Sequence, residues 1–136
     1  MLGYGLLSGG AEQAAAPLPP DPPVVTVAMS EYRFDFGSIP EGRVVFEVVN
    51  EGQLAHRLSL IPLAEDFPPI LEQLRGTERR VVDTLAAVAT LAPGQRRSVA
   101  VDLAPGRYAF VCFVSDPDGS SHALKGHAAE FRVAGA

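Results

Sequence analysis

From Val24 onward, apolar and polar side chains alternate with a period of two, and this feature constrains the fold more than any other. In residues 32–36, two Phe and a Tyr alternate with Arg and Asp, and similar runs lie at 98–103 and 130–133. Successive side chains of a strand point to opposite faces of its sheet, so each run predicts a strand with one buried face and one wet face.

Two further segments, 44–49 and 108–114, are almost continuously apolar, which is typical of central strands covered on both sides. Only Glu65–Gly76 has helical spacing of its apolar residues, and residues 77–92 are ambiguous. Gly and Pro separate the segments. About seven strands with one short helical insertion predict an all-β protein, an antiparallel Greek-key β-sandwich.

Size and charge exclude several classes of protein. The chain has 136 residues, which suits one soluble domain rather than a two-domain enzyme. Its net charge of -5 leaves no broad basic field for nucleic acid or an anionic membrane. The single cysteine, Cys112, excludes an internal disulfide framework and a Cys-rich zinc or iron–sulfur site.

The first 23 residues differ in composition from the rest of the chain. They contain a short apolar patch and then five prolines between positions 17 and 23, which favour an extended spacer. Residues 1–23 are therefore expected to be a disordered leader and Pro-rich linker, and residues 24–136 to be the folded domain. No apolar run approaches the roughly 20 residues of a membrane helix, so no transmembrane segment is expected.

Four potential metal ligands are predicted to meet at one end of the sandwich. Alternation along residues 54–63 turns His56 toward the interior, and Cys112 lies near the end of a late strand. Nine residues separate Cys112 from His122, and His127 follows just before the last strand. A soft thiolate combined with imidazoles is the ligand set of a mononuclear copper site.

Each of these residues also has an ordinary structural explanation. A lone buried Cys112 is commonly a small core hydrophobe, and an inward His56 is commonly a hydrogen-bonded core residue. His122 and His127, next to Gly and Ser residues, could be solvated loop histidines. The Asp-Pro-Asp-Gly stretch at 116–119 indicates a turn before it indicates calcium binding. A Cys–His hydrolase is disfavoured because no oxyanion-hole loop is recognisable.

Two motifs nevertheless resemble those of the cupredoxins, the blue copper proteins such as plastocyanin, halocyanin and azurin. The first is Asn50, Gly52 and His56, which is similar to the turn and strand that carry the family's first histidine ligand. The second is the Pro-Gly-Arg-Tyr turn at 105–108, followed by Cys112 and the two remaining histidines. The resemblance covers Val24–Val133. It implies His56, Cys112 and His122 as equatorial ligands, with His127 at the usual position of a weak axial methionine.

The resemblance also implies a function. It suggests one mononuclear copper site in a non-enzymatic one-electron carrier that meets a redox partner protein and takes no small-molecule substrate. Together with the composition of the leader, it suggests a periplasmic or extracellular protein, with a membrane tether left open. Two alternatives remain: a cupredoxin-like structural or protein-binding module without copper, and a copper storage or delivery protein.

Overall fold

The structure is a computed structural model, and it describes residues 20–76 and 83–135. These ranges contain eight strands, one α-helix and a short 3-10 helix. The strands are β1 Val24–Ser30, β2 Arg33–Asp35, β3 Gly42–Asn50, β4 His56–Leu63, β5 Ala86–Leu91, β6 Arg96–Leu103, β7 Gly106–Val111 and β8 Ala128–Val133. The helix α1 spans Ile70–Arg75, and the 3-10 helix spans Ala123–Lys125.

The strands form two four-stranded sheets, in the orders β2-β1-β3-β6 and β5-β4-β7-β8. The predicted all-β sandwich with one short helix between two strands is confirmed. One described pair departs from the antiparallel expectation, because β1 and β3 run in parallel, with Val25 opposite Phe46. β2 runs back along β1 only as far as Asp35, which lies opposite Ala28. The connection at 36–41 then leads to β3, which pairs with the other edge of β1 and runs parallel to it.

The core lies between the two sheets and follows the alternation of the sequence. The buried apolar side chains of this core include Val25, Val27, Met29, Val44, Phe46, Val48, Leu58, Leu60 and Phe110. The Phe110 ring contacts four other aromatic rings, which are Phe34, Phe36, Phe46 and Phe131. As predicted, 44–49 and 108–111 belong to central strands, β3 and β7. Such a close-packed core gives the strand ends fixed positions.

The outer face of the second sheet is covered by α1 and the segment before it. Ile70 and Leu74 pack with Phe67 against Ile61 and the outward side chains of β7. This explains why β7 is apolar on both faces. The predicted helix boundaries at Glu65–Gly76 are wrong at the start, because the helix begins only at Ile70, after two prolines. A proline disfavours helical geometry in the residue before it, so residues 65–68 cannot lead into the helix.

Two other sequence-based boundaries need correction. The strand expected at Tyr32–Phe36 is reduced to Arg33–Asp35, because Tyr32 has φ 65 in the turn between β1 and β2. The strand expected at 108–114 ends at Val111, where the chain turns toward the site. In the ambiguous stretch, residues 86–91 form β5, and residues 77–82 lie outside the described residues.

Of the predicted leader, only residues 20–23 are described, and no strand or helix is found there. Residues 1–19 lie outside the described residues, so the division at residue 23 stays a prediction. No helix within 20–76 and 83–135 is long and apolar enough to cross a bilayer.

Arg107 fastens the segment before α1 to the sheet. Its guanidinium donates hydrogen bonds to the backbone carbonyls of Ala64, Glu65 and Phe67, and it pairs with Glu130 at 2.8 Å. The side chain is only 11% exposed. We expect Arg107→Ala to lower the free energy of unfolding by about 2–3 kcal/mol, because it removes a mostly buried side chain and several charge-assisted hydrogen bonds at once. Urea denaturation of the apoprotein measures this loss.

The matched control is Arg132→Ala. Arg132 pairs with Glu65 on the same side of the sandwich, but its side chain is 61% exposed. Solvent-exposed ion pairs contribute little to stability, so the control is expected to unfold at nearly the wild-type urea concentration. Equal midpoints for both variants would contradict the fastening role of Arg107.

Candidate metal centre

The structure brings together the four residues that the sequence nominated. His56 is the first residue of β4, Cys112 directly follows β7, and His127 directly precedes β8. His122 lies just ahead of the 3-10 helix. All four side chains are 0% exposed, and one potential ligand atom from each lies within 4.8 Å of all the others. Strand ends and their adjoining turns therefore place one sulfur and three imidazoles at one end of the sandwich.

Asn50 organises the turn that leads to His56. Its buried side chain donates hydrogen bonds of 2.9 Å to the carbonyls of Leu54 and Leu91, and its Oδ1 accepts one from the Gly52 backbone N–H. An irregular register between His56 and Leu58 then interrupts the pairing of β4 with β5. The hydrogen bonds of Asn50 thus hold the turn in the conformation that places His56 at the site.

The Cys112 sulfur accepts hydrogen bonds from two backbone N–H groups. The Arg57 N–H donates to its Sγ at 3.4 Å, and the Val114 N–H also donates to this sulfur. Burial raises the pKa of the thiol, and these backbone hydrogen bonds oppose the shift. The backbone N–H of Cys112 donates to the His127 carbonyl at 3.1 Å. The surroundings therefore offer stabilisation to a thiolate once a cation balances its charge.

The loop between Cys112 and His122 folds back on itself. Its base is closed by a bridge between Ser115 and Ser121, and its tip is the predicted turn, with Gly119 at φ 88. The His122 N–H then donates to the Val114 carbonyl at 2.8 Å. This closure returns His122 to the sulfur, so that its Nδ1 lies 3.6 Å from Cys112 Sγ.

The outward nitrogen, Nε2, of each histidine has a polar partner. That of His56 lies 3.3 Å from Glu31 Oε2, that of His122 lies 2.7 Å from Asp116 Oδ1, and that of His127 lies 3.0 Å from the backbone oxygen of Arg33. The inward nitrogens behave differently. Nδ1 of His56 and Nδ1 of His127 are buried without a hydrogen-bond partner among residues 20–76 and 83–135. Such unpaired buried atoms are costly unless a ligand satisfies them.

The electrostatics favour the neutral form of two of the imidazoles. Burial lowers the pKa of His127 to about 4, and it also lowers the pKa of His56. Lys125 and His122 together lower the pKa of Asp116 to about 2, and the Gln53 N–H is the largest of the groups that lower the pKa of Glu31. A neutral imidazole has one lone pair free for a metal, and an ionised carboxylate beside it can accept the other nitrogen's proton in a hydrogen bond.

The residues present fit a copper ion. Three imidazole nitrogens suit copper in either oxidation state, and the cysteine sulfur is the soft donor that Cu(I) favours. The two orphaned Nδ1 atoms and the Nδ1 of His122 converge with Sγ in a buried space. This buried group fits one mononuclear copper site.

Two features of the site differ from what the sequence suggests. A solvated loop position was one explanation offered for two of the histidines, whereas all three are fully buried, and Tyr32 and Asp116 contact His122. The alternative that His122 and His127 are solvated loop residues is therefore wrong. The sequence reasoning also missed Glu31, and it assigned Asp116 only to a turn. No spacing signal marks Glu31, because it is 25 positions from its histidine.

No protein-family model and no curated protein matches the chain. Solved structures do. The dithionite-reduced auracyanin of the photosynthetic bacterium Roseiflexus castenholzii is 21% identical, with a TM-score of 0.59 over 85% of this chain and 98% of that one. Auracyanin B is 21% identical, with a TM-score of 0.60 over 87% and 94%. Rusticyanin from Thiobacillus ferrooxidans is 17% identical, with a TM-score of 0.54 over 81% and 77%. The chain therefore has the fold of these blue copper proteins, the cupredoxin fold.

Proposed function

We propose that this protein is a one-electron carrier that holds a single copper ion with His56, Cys112, His122 and His127. The observation that carries the proposal is a buried group in which one potential ligand atom from each of three histidines and the sulfur of the chain's single cysteine lie within 4.8 Å of one another. A purely structural core would leave Nδ1 of His56 and Nδ1 of His127 unpaired at a cost in stability, whereas a bound metal ion satisfies them.

Copper, when bound, would supply a one-electron couple between Cu(I) and Cu(II). The chain's contribution is rigidity. His56 and His127 adjoin strands β4 and β8, and Cys112 adjoins β7, so their backbone positions are set by the ladders of the second sheet. The Arg57 and Val114 N–H groups donate to the sulfur and hold its orientation. Side chains that scarcely move lower the reorganisation that accompanies electron transfer.

The fold relatives support this assignment. Solved structures of auracyanin and of rusticyanin include reduced forms, so those proteins change oxidation state. By analogy of fold, we propose that this chain exchanges its electron with a partner protein outside the cytoplasm and carries out no catalysis of its own. We propose no small-molecule substrate and no nucleic-acid partner for this chain.

Copper addition tests the proposal. Apoprotein titrated with Cu(II) is expected to bind one ion per chain and to develop an intense visible absorption with a Cu(II) electron paramagnetic resonance signal. Repeated reduction and reoxidation in the presence of a copper chelator is expected to return the full absorption, because a carrier retains its metal in both states.

The alternatives give different results. A structural module without copper would show no sulfur-to-copper band at any copper concentration. A storage or delivery protein would bind copper but release it to the chelator in one oxidation state. Either result would reject the electron-carrier assignment, and the second would keep the ligands while changing the function.

A further inference from the structure

A single turn of the first sheet reaches all three histidines. Glu31, Tyr32 and Arg33 connect β1 to β2, and each of these consecutive residues approaches a different imidazole. The Glu31 carboxylate forms a hydrogen bond with His56, and the Arg33 carbonyl forms one with His127. The Tyr32 ring lies edge-on to His122, with ring centroids 5.2 Å apart. The histidines themselves belong to the second sheet and its loops, so this turn is an independent wall of the site.

Every partner on the outer side of the imidazoles is a pure acceptor. A backbone carbonyl cannot donate, and neither can an ionised carboxylate. In its neutral form, each imidazole must therefore carry its proton on Nε2, the atom that faces Glu31, Asp116 or the Arg33 carbonyl. The lone pair of each imidazole then lies on Nδ1, toward Cys112.

We propose that the β1–β2 turn, acting with Asp116, positions the metal-binding atoms by fixing all three histidines in the Nε2–H tautomer. Glu31 and Asp116 are positioning residues, not ligands. The inference deepens the proposed copper site and rests on it for the identity of the metal, but the tautomers are a property of the chain itself and exist without metal.

Glu31 uses both of its carboxylate oxygens as acceptors. Oε2 accepts from His56, and Oε1 accepts from the backbone N–H groups of Gln53 and Leu54. Gly52 gives this arrangement its space, because a Cβ there would collide with the Glu31 carboxylate and lie 2.9 Å from His56 Nε2. The absence of a side chain at Gly52 thus allows the Glu31 carboxylate to reach His56.

Asp116 performs the equivalent role for His122. Its Oδ1 accepts from the imidazole, and its Oδ2 accepts from the Tyr32 hydroxyl at 3.2 Å and from Lys125. The Lys125 ammonium also lies 5.2 Å from the centre of the Tyr32 ring. Tyr32 holds a positive φ that is rare for a bulky residue, and such conformations persist where the surroundings enforce them. The turn and Asp116 are therefore one connected unit.

Glu31→Gln is the decisive variant, because an amide has one acceptor oxygen where the carboxylate has two. The backbone N–H groups of Gln53 and Leu54 are expected to keep the single amide oxygen as their acceptor. The new NH2 group then faces His56 Nε2, which must accept a hydrogen bond and therefore cannot carry the proton. Side-chain ¹⁵N NMR of the metal-free protein, at a pH where the imidazoles are neutral, reports the tautomers directly. We expect Nε2–H at all three histidines in the wild type and a shift of His56 alone toward Nδ1–H in Glu31→Gln.

Copper binding gives a second readout of the same variant. We expect Glu31→Gln to weaken Cu(II) binding about 10–100-fold, the usual effect of losing an outer partner of a ligand histidine. Gly52→Ala keeps every hydrogen-bonding group but moves Glu31 off the imidazole, and it should weaken binding in the same direction. The matched control is Asp102→Asn, which removes the same charge from an exposed pair with Arg43 at the far end of β3. It should match the wild type in both measurements.

The outcomes separate the two proposals. Wild-type Nε2–H tautomers that persist in both Glu31→Gln and Gly52→Ala, with unchanged copper affinity, would overturn the positioning role while leaving the copper proposal intact. A mixed population of tautomers in the wild type would also overturn it. Fixed tautomers that respond to Glu31→Gln, in a protein that binds no copper, would uphold the inference about the chain and reject the proposed function.

Discussion

Cys112→Ser is expected to abolish the sulfur-to-copper absorption of the copper-loaded protein. Sγ is the one sulfur in the buried group, and a serine hydroxyl does not ionise under the same conditions or offer a soft donor. The two side chains are close in size, and the N–H groups of Arg57 and Val114 can donate to an oxygen as they do to sulfur. We therefore expect the apoprotein to fold with a loss of about 1–2 kcal/mol, measured by urea denaturation.

Phe113→Ser is the matched control for this result. Phe113 follows Cys112 directly, but its side chain is exposed. If the absorption depends on the cysteine sulfur, the control keeps it at full intensity. A Cys112→Ser protein that retains the band, or a control that loses it, would show that the colour does not come from a thiolate at this position.

His127→Met is expected to raise the reduction potential of the copper protein. A thioether is a softer and weaker donor than an imidazole, so its presence favours Cu(I) over Cu(II). Each tenfold change in the ratio of the two affinities corresponds to about 59 mV for a one-electron couple. We expect a rise of at least this size, together with a more trigonal Cu(II) spectrum, measured by spectroelectrochemical titration.

Leu124→Met controls for the introduction of a methionine into the same loop. Leu124 lies between the two late histidines, and its side chain is exposed. Its replacement should leave both spectrum and potential unchanged. If His127→Met also leaves them unchanged, His127 does not contact the metal, and the site has three protein side chains as ligands instead of four.

Alternation predicted most of the strands that have one buried face, although β5 lies in the stretch that the sequence left ambiguous. Residues 98–103 and 130–133 lie in β6 and β8 as expected, because the period of two is a direct consequence of strand geometry. The boundaries failed where one residue's backbone overrides the pattern. Tyr32 leaves the strand through its positive φ, and Pro69 delays the start of α1. Alternation carries no information about either constraint.

For the site, the sequence named the residues that bear the chemistry but not those that orient them. His56 could be placed inward by its phase with Leu58 and Leu60, and both of these residues are buried. Cys112 could be placed at a strand end by the change from apolar residues to turn residues. Glu31 gave no comparable signal, because its role depends on a turn in the other sheet lying across the histidines.

The sequence by itself determined most of the strands, the central positions of β3 and β7, and the residue types available for a copper site. These properties are local, since they depend on side chains a few positions apart along one backbone. Only the tertiary structure decided that the imidazoles are fully buried, that their Nδ1 atoms face the sulfur, and that Glu31 and Asp116 hold their outer edges. Those properties depend on how the two sheets pack and on where their turns come into contact. The packing of the whole core determines both arrangements.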